Sequence, residues 1–343
     1  MNLRVSMWAT PLLALLATFT GAATPADPFQ VGVGVHVGQN KNPLDATAAA
    51  LEQGRFTSFR DEVFWHRLER KKGVLEFPDS LHDLDQLVTL AAQRGVRPLL
   101  ILDYGNPFYD GGGQLSSPEA IAAWSRYVRF VVKHFKGRVD QFEVWNEWNI
   151  GSGGTPAQRA ARHGSPEDYA KVLQAAYSAV KAENPAATVL GGAFAGYDYK
   201  WIEAFGRAGG FGSLDGFSTH PYVFAEGKKG TPDSAIRHLD ELKALIDRLA
   251  PGRNVRVYVT ETGWPVYTGT NGVTEQQAAD YLQQFMLLAR SRPWIAGIWW
   301  YDLFDDGDNA SNTEHRFGLI DRAGVKRPAF RAVAGARDKR VTQ

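Results

Sequence analysis

The sequence predicts a (β/α)8 barrel, in which eight parallel strands form a closed ring surrounded by helices. Short β-rich runs alternate with amphipathic helical runs through most of the chain, which is typical of parallel strands joined by helical crossovers. Eight such strand runs are present in the 343 residues. Polar and aromatic side chains directly follow several of these runs, as expected at the C-terminal mouth of a barrel.

The first half of the chain supplies four strand runs, each followed by a helical run. The third strand run is almost continuously apolar, which is typical of a strand buried on both faces. The first three helical runs end at glycines, which favour helix C-termini. The predicted strands occupy residues 30–37, 55–60, 97–103 and 142–149, and the first three helices begin near residues 44, 80 and 118.

The second half of the chain continues the alternation. A capping box from Thr274 to Gln277 marks the start of one helix. A Gly- and Ser-rich stretch at 150–164 predicts a long functional loop after the fourth strand. The predicted strands occupy residues 188–193, 216–220, 257–265 and 295–301, and helices begin near residues 166, 232 and 275, with a closing helix around residue 330.

An open, doubly wound sheet is the competing fold. Such a sheet usually carries a glycine-rich phosphate loop after its first strand. The Gly-Val-Gly-Val-His sequence at 32–36 is not followed by one. The closed barrel is therefore the predicted fold, as a single domain over residues 24–343.

Residues 1–23 are predicted to be a signal peptide. Arg4 supplies a positive charge, residues 7–19 are mostly apolar, and the small residues 21–23 offer a cleavage site. The apolar run is short for a bilayer span, and an uncleaved anchor is the alternative. We expect a secreted or periplasmic protein without stable membrane insertion after cleavage.

The composition excludes several classes of partner. Lys plus Arg (38) nearly balance Asp plus Glu (37), so no basic field attracts nucleic acid or an anionic membrane. Cysteine is absent, which excludes disulfides and thiolate metal sites, and the 8 histidines show no tight metal-binding spacing. The 10 tryptophans offer flat apolar rings that suit sugar faces as well as a core. We expect a monomer with no cofactor and no metal.

Two strand runs each deliver one glutamate at their C-terminal end, beside tryptophan. The stretch 142–149 delivers Glu147, and the stretch 257–265 delivers Glu261. Hydrolysis of a glycosidic bond needs two such carboxyl groups, because one protonates the leaving oxygen while the other attacks or activates water. Glu147 and Glu261 are therefore the predicted catalytic pair, and a poly- or oligosaccharide is the predicted substrate.

The motifs around these glutamates resemble those of the clan A glycoside hydrolases. The Trp-Asn-Glu sequence at 145–147 is similar to their acid/base motif, and the Thr-Glu-Thr-Gly-Trp sequence at 260–264 is similar to their nucleophile motif. The resemblance covers residues 30–332. Three more segments look most like family 39 and its bacterial exopolysaccharide-hydrolase relatives, namely 60–65, 104–107 and 299–302.

The resemblance implies a retaining mechanism. Glu147 would be the acid/base, and Glu261 would be the nucleophile that forms a covalent glycosyl-enzyme intermediate. The two carboxyl groups of such enzymes lie about 5–5.5 Å apart. Trp148 departs from the pattern, because members of the family usually have proline after the acid/base glutamate, and this departure affects the adjoining subsite.

Hydrogen-bond donors are needed beside Glu261, since an attacking carboxylate must stay ionised. Arg60, at the end of the second predicted strand, and Tyr222 are predicted to supply them, with Tyr222 donating to one carboxylate oxygen. The alternative for Arg60 is a structural ion pair with Glu143, which points the same way as Glu147 by strand alternation.

Four more side chains are predicted to bind the substrate. Asn146 is expected to contact the sugar hydroxyl beside the reacting carbon. His220 belongs to the site unless it is a hydrogen-bonded core histidine. Trp300, as the last inward-facing aromatic residue of the eighth strand, is predicted to form the floor of a sugar subsite, and Trp264 is expected to act similarly. Core packing is the alternative for both tryptophans.

The sequence thus predicts a secreted retaining β-glycosidase that acts inside a polysaccharide chain, which the resemblance implies to be a bacterial exopolysaccharide. A transglycosylase and a non-catalytic carbohydrate-binding barrel are the alternatives on the same site. A metal-dependent hydrolase using His36, His220 and Asp302 is an alternative of another class. Asp103 and Asp302 are the rival catalytic carboxylates.

Overall fold

The computed structural model describes residues 29–161 and 164–336. Within them, eight parallel strands pair in sequence order and close into a barrel through the pairing of the first strand with the eighth. The predicted (β/α)8 fold is confirmed. The strands are β1 (Gln30–Gly34), β2 (Ser58–Phe64), β3 (Arg97–Asp103), β4 (Gln141–Val144), β5 (Thr188–Ala195), β6 (Gly216–His220), β7 (Arg256–Thr262) and β8 (Ile295–Trp300).

Helices cover the outside of the barrel. None of those among the described residues is long and apolar enough to cross a membrane. The predicted signal peptide at 1–23 lies outside the described residues. The helices are α1 (Leu44–Gln53), α2 (Trp65–Leu68), α3 (His82–Gln93), α4 (Pro118–Phe135), α5 (Pro156–Ala161), α6 (Pro166–Glu183), α7 (Tyr199–Arg207), α8 (Pro232–Leu249), α9 (Glu275–Arg290) and α10 (Pro328–Ala336).

Local sequence fixes where the long helices begin. Ser117, Ser165 and Thr231 are N-caps whose side-chain oxygens accept hydrogen bonds from the backbone three residues ahead, and each precedes a proline at the first helical position. Proline suits that position because an N–H group there would have no acceptor within the helix, so its absence from proline costs nothing. The capping box predicted at Thr274 is present, with Gln277 as its partner. These caps stabilise the starts of α4, α6, α8 and α9.

The apolar core has two parts, separated by the barrel wall. A small cluster fills the barrel below the mouth, and it contains Leu99, Leu190, Tyr258, Ala296 and Trp299. A much larger cluster lies between the strands and the surrounding helices. Successive residues of a strand point to opposite faces. Of the two neighbouring tryptophans of β8, Trp299 therefore belongs to the cluster inside the barrel and Trp300 to the cluster outside it.

The structure also corrects three sequence-based expectations. The second strand continues to Phe64, so Arg60 lies in the middle of β2 rather than at its end. The stretch 150–164 is not entirely a loop, because it contains α5. A helix between the fifth and sixth strands, α7, was not predicted. Arg60 still reaches the mouth, because it lies level with Gly34, the last residue of the short strand β1.

Candidate active site

A cavity of about 330 Å³ opens at the C-terminal ends of the strands, where a barrel of this type carries its functional groups. The predicted residues Arg60, Asn146, Glu147, Tyr222 and Glu261 all contribute to its walls. Its size is at the lower end of the range for small-molecule sites, about 300–1,000 Å³. The rest of the lining comes from Gly34, Val35, His36, Gln39, Lys41, Asp61, Glu62, Ile101, Tyr104, Phe224, Tyr301, Glu314 and Phe317.

Glu147 and Glu261 meet in this cavity although they are far apart in sequence. One carboxylate oxygen of each and one ring nitrogen of His220 all lie within 4.8 Å of one another. The Glu147 side chain is 20% exposed and the Glu261 side chain is 11% exposed. Two carboxyl groups this close can act on opposite sides of one reacting carbon.

Glu261 is held by two donors, which are the two expected from the sequence. Arg60 Nη1 lies 2.6 Å from Oε1, and the Tyr222 hydroxyl donates to Oε2 at 2.9 Å. Burial alone would raise the pKa of Glu261, but the charges of His220 and Arg60 and the hydrogen bond from Tyr222 outweigh it, and the net pKa is lowered. Glu261 is therefore kept ionised, as an attacking carboxylate must be.

Arg60 joins three strands at the floor of the cavity. Besides Glu261, its Nε donates to Glu143 Oε2 at 2.6 Å and its Nη2 donates to Asn146 Oδ1 at 2.9 Å. Both predicted roles of Arg60, the ion pair with Glu143 and the contact with Glu261, therefore exist together. A planar guanidinium can serve three acceptors at once because its donors point in fixed, diverging directions.

The amide of Asn146 is fixed at both ends. Its oxygen accepts from Arg60, and its Nδ2 donates to the Tyr104 hydroxyl at 3.0 Å. Tyr104 also lines the cavity, and burial raises the pKa of its hydroxyl well above the ordinary value. These contacts hold Asn146 beside Glu147, where a sugar hydroxyl would bind.

The position of Glu147 depends on an irregular backbone just after β4. Its φ is 50°, in the left-handed region, and the φ of Trp145 is 65°. The Glu147 N–H donates to Ala193 O at 2.9 Å, and Ala193 itself has a φ of 40°. The Ala193 N–H in turn donates to Ser218 Oγ at 2.8 Å. Such φ values are costly for non-glycine residues and cluster at functional sites, and here they turn Glu147 into the cavity.

His220 contacts both glutamates from below. Its Nδ1 lies 2.9 Å from Glu147 Oε1 and 3.7 Å from Glu261 Oε2. The ring is fully buried and does not line the cavity. Burial lowers the pKa of His220, but the charge of Glu261 and the hydrogen bond to Glu147 together raise it by more than burial lowers it. The net pKa is therefore raised. His220 thus positions the carboxyl pair rather than contacting the sugar.

The placement of Trp264 and Trp300 corrects their prediction as substrate-binding residues. Both are buried and neither lines the cavity. Their rings lie 6.0 Å apart in the layer between barrel and helices, where Trp264 packs against Phe285 of α9 at 6.1 Å. It is Trp299 that points into the barrel, donating to Ser58 Oγ at 2.9 Å. The inward and outward residues of β8 were assigned one position out of register.

Other aromatic residues supply the rings that line the cavity. Tyr301 follows β8 directly, and its hydroxyl donates to Asp306 Oδ2 at 2.8 Å. Tyr222 and Phe317 pack edge-on against Tyr301, with ring centroids 6.4 and 5.6 Å away. The sequence could have predicted the contribution of Tyr301 to the cavity, because the first residue after a barrel strand lies at the mouth.

The rival carboxylates lie outside the cavity walls. Asp103 is fully buried, neither of its oxygens has a hydrogen-bond partner, and burial together with the charge of Glu62 raises its pKa well above the ordinary value. Asp302 is buried beside His36, with His36 Nε2 3.1 Å from its Oδ2. Burial raises the pKa of Asp302 to about 7. Neither aspartate is placed to attack a substrate.

The metal-dependent alternative required His36, His220 and Asp302 to converge. Instead, His36 and Asp302 group with Asp306, whereas His220 groups with the two glutamates. The first group could coordinate a cation, but its members already form ion pairs, at 3.1 and 3.6 Å from His36 Nε2. The predicted set of three ligands is therefore not assembled.

The solved structures that this chain resembles include glycoside hydrolases, and the resemblance to clan A, most like family 39, is confirmed. A family 39 glycoside hydrolase from Bacteroides cellulosilyticus is 26% identical, with a TM-score of 0.74 and a match to 91% of this chain; this chain spans 64% of that protein's length. No family model and no curated protein sequence matches the chain.

Two further structures share the fold at lower identity. A monomeric β-xylosidase from Caulobacter crescentus is 20% identical, with a TM-score of 0.67, and the match covers 92% of this chain and 69% of that one. A GH5_18 protein from Streptomyces cattleya, solved in complex with GlcNAc, is 17% identical, with a TM-score of 0.71 and coverage of 90% and 80%. These two matches support the barrel fold.

Replacing Tyr222 with phenylalanine is expected to move the acidic limb of the kcat/KM profile to higher pH. The hydroxyl stabilises the ionised form of Glu261, so its loss raises the pKa of that carboxyl, and activity is lost earlier as the pH falls. Tyr199→Phe, which removes a hydroxyl that bonds to Glu241 outside the cavity, is the matched control. An unchanged acidic limb in Tyr222→Phe would show that Tyr222 does not set the pKa of Glu261.

Proposed function

We propose that the protein is a retaining β-glycosidase, with Glu147 as acid/base and Glu261 as nucleophile. The observation that carries the proposal is the approach of their carboxylate oxygens to within 4.8 Å. Retaining enzymes hold their two carboxyls about 5–5.5 Å apart, whereas inverting enzymes need about 6.5–9.5 Å to admit a water molecule. The separation favours direct attack by one carboxylate on the sugar.

The first step forms a covalent intermediate. The Glu261 carboxylate attacks the anomeric carbon while Glu147 transfers its proton to the glycosidic oxygen, so the bond to the leaving group breaks as the bond to Glu261 forms. Arg60 and Tyr222 hold the attacking carboxylate through the contacts at 2.6 and 2.9 Å. The carboxylate of Glu261 loses its negative charge when it becomes the glycosyl ester. The leaving group takes the proton of Glu147 and departs as a neutral alcohol.

The second step reverses the roles. Glu147, now ionised, takes a proton from a water molecule whose oxygen attacks the anomeric carbon and releases Glu261 as a carboxylate. Two inversions give net retention of configuration. His220, 2.9 Å from Glu147, holds the acid/base group in place through both of its protonation states.

The configuration of the first product tests this assignment. Proton NMR of the earliest product from an activated aryl β-glycoside is expected to show the β anomer before mutarotation equilibrates it. The free sugar alone, dissolved under the same conditions, provides the rate of spontaneous mutarotation. An α anomer appearing first would require an inverting mechanism and would refute the nucleophilic role of Glu261.

The proposal extends to an internal mode of action on a bacterial exopolysaccharide. Support comes from the small cavity and its aromatic walls, because a polymer longer than the cavity must continue over the rim, where rings can stack on further units. Phe108, 41% exposed on the segment after β3, offers such a ring. Size-exclusion analysis of early digests should show a rapid fall in polymer size; release of single sugars at constant polymer size would contradict the internal mode.

Export and a monomeric state complete the proposal. Export is supported by the signal-peptide pattern at 1–23, and a monomeric state is supported by the monomeric β-xylosidase that shares the fold. Intact-mass analysis of the protein recovered from a bacterial periplasm or medium is expected to show cleavage after about Ala23. A full-length mass in the membrane fraction would favour the anchored alternative.

A further inference from the structure

The walls of the candidate active site carry more carboxyl groups than cations. Five acidic and three basic residues line the cavity. Two of the acids are the catalytic pair, and the others have no assigned role. The acids are Asp61, Glu62, Glu147, Glu261 and Glu314, and the bases are His36, Lys41 and Arg60.

Each of the three lining cations already faces a carboxylate of the protein. Arg60 is held by the two glutamates described above. His36 Nε2 lies 3.1 Å from Asp302 and 3.6 Å from Asp306, and Lys41 Nζ also lies 3.6 Å from Asp306. Among the described lining residues, no cation remains to pair with a carboxylate or sulfate on a substrate. An anionic sugar would therefore enter a cavity with no countercharge for it.

Two of the lining acids, in contrast, form no direct ion pair among the described residues, although the charges of His36 and Arg60 act on Glu62. Glu62 is half-buried, and its side-chain contact is with the neutral amide of Gln39. Glu314 is exposed at the rim, and its carboxylate makes no hydrogen bond or ion pair there. The third acid, Asp61, differs because the N–H groups of Gly38 and Glu62 donate to it at 2.9 and 2.8 Å. Glu62 and Glu314 are the carboxyls left for a ligand.

The electrostatic environment of these two carboxyls favours a positive ligand. Burial raises the pKa of Glu62, and this effect outweighs the lowering by the charges of His36 and Arg60 and by the contact with Gln39, so the net pKa is raised. Partial desolvation at the rim and the charges of Glu147 and Glu261 raise the pKa of Glu314, against a smaller lowering by the charge of His315. A positive group on the substrate would lower the free energy of both ionised carboxylates, whereas a neutral group would not offset the repulsion that each receives from the glutamates of the catalytic pair.

We propose that the cavity takes a sugar with a free, protonated amino group that faces Glu62 and Glu314, so that the preferred substrate is a glycan containing de-N-acetylated hexosamine. The inference rests on the proposed glycosidase function, because it assigns a substrate class to the same cavity. Glu62 and Glu314 are its specificity-determining residues, and the catalytic pair is unchanged.

A matched pair of substrates tests the proposal. A partially de-N-acetylated β-linked hexosamine oligosaccharide is compared with the same material after chemical re-N-acetylation, so that the two have the same backbone and linkage and differ only at the amino groups. We expect kcat/KM to be about tenfold higher for the amine form, which corresponds to about 1.4 kcal/mol of differential binding. The preference should shrink at high salt, because a partly exposed ion pair is screened.

Charge-neutral variants locate the effect. Glu62→Gln is expected to lower kcat/KM for the amine form about tenfold more than kcat/KM for the N-acetylated form. Glu314→Gln should cost about threefold, since Glu314 is exposed. Asp308→Asn is the matched control, because Asp308 is an acid of the same loop, 84% exposed and outside the cavity walls. It should alter neither rate.

The outcomes separate this proposal from the proposed function. Equal rates on both forms, faster cleavage of the N-acetylated form, or cleavage of neutral glycans alone would overturn the amino-sugar assignment and leave the glycosidase standing. If Glu62→Gln lowers kcat/KM equally on both substrates, Glu62 has a structural role only. The amino-sugar assignment then depends on Glu314→Gln, and an equal loss on both substrates in that variant too would overturn it. No cleavage of these substrates or of any aryl β-glycoside would defeat the proposed function itself.

Discussion

Replacing Glu261 with alanine is expected to lower kcat by roughly 10⁴- to 10⁶-fold, the range seen when a covalent nucleophile is removed. Without the carboxylate, no atom of the protein lies where the anomeric carbon must be attacked, and Arg60 loses the charge that its Nη1 faces at 2.6 Å. Release of a chromogenic aryl leaving group, followed over hours, measures the residual rate.

Azide distinguishes loss of the nucleophile from loss of the fold. The alanine side chain leaves space beside the anomeric carbon, and added azide should restore release of the leaving group and form a glycosyl azide of inverted configuration. Wild-type protein with azide is the control. A glycosyl azide of retained configuration would instead assign Glu261 as the acid/base and exchange the two roles.

Replacing Glu147 with glutamine is expected to slow substrates with poor leaving groups by about 10²- to 10⁴-fold, the usual contribution of general acid catalysis. Activated aryl glycosides should lose far less in their first step, because their leaving groups depart without a proton. Glutamine keeps the size of the side chain and can still face His220, which lies 2.9 Å from Oε1. A series of aryl glycosides with graded leaving-group pKa measures the dependence.

The slope of this series decides the role of Glu147. A rate that becomes steeply dependent on leaving-group pKa supports proton donation. Similar losses on good and poor leaving groups would mean that Glu147 acts by binding or positioning instead. Circular dichroism of the variant, compared with wild type, shows whether the overall fold has tolerated the substitution.

The fold was largely predictable because its signals are local and repeated. The bounds of β3 and α1 agree with the prediction, since an apolar run and a glycine stop mark them. The helix α7 escaped prediction because it has only 9 residues and lies between glycine-rich segments. Helix α5 lies in a stretch of glycine and serine that resembles a loop, and tertiary contacts rather than sequence propensity set its ends.

The site was predictable where residue type and strand position coincide. The two glutamates, Arg60, Asn146 and Tyr222 all line the cavity, because parallel strands bring their C-terminal ends together. Trp300 was misplaced because a one-residue error in strand phase moves a side chain to the opposite face, whereas Trp264 lies two residues beyond the end of β7 and packs against α9. Glu62 was missed because β2 runs longer than predicted, which carries its carboxyl to the mouth.

The left-handed backbone at Glu147 has a consequence for protein engineering. Glu147 and Ala193 share one hydrogen bond across neighbouring strands, and both have positive φ values, 50° and 40°. A chimera that imports the end of β4 from another barrel but keeps its own end of β5 would lose this hydrogen bond between two strained residues. The carboxyl proposed as the general acid would then no longer be held in the cavity. Exchange between homologues should therefore move both strand ends as one cassette, together with Ser218, which anchors the second.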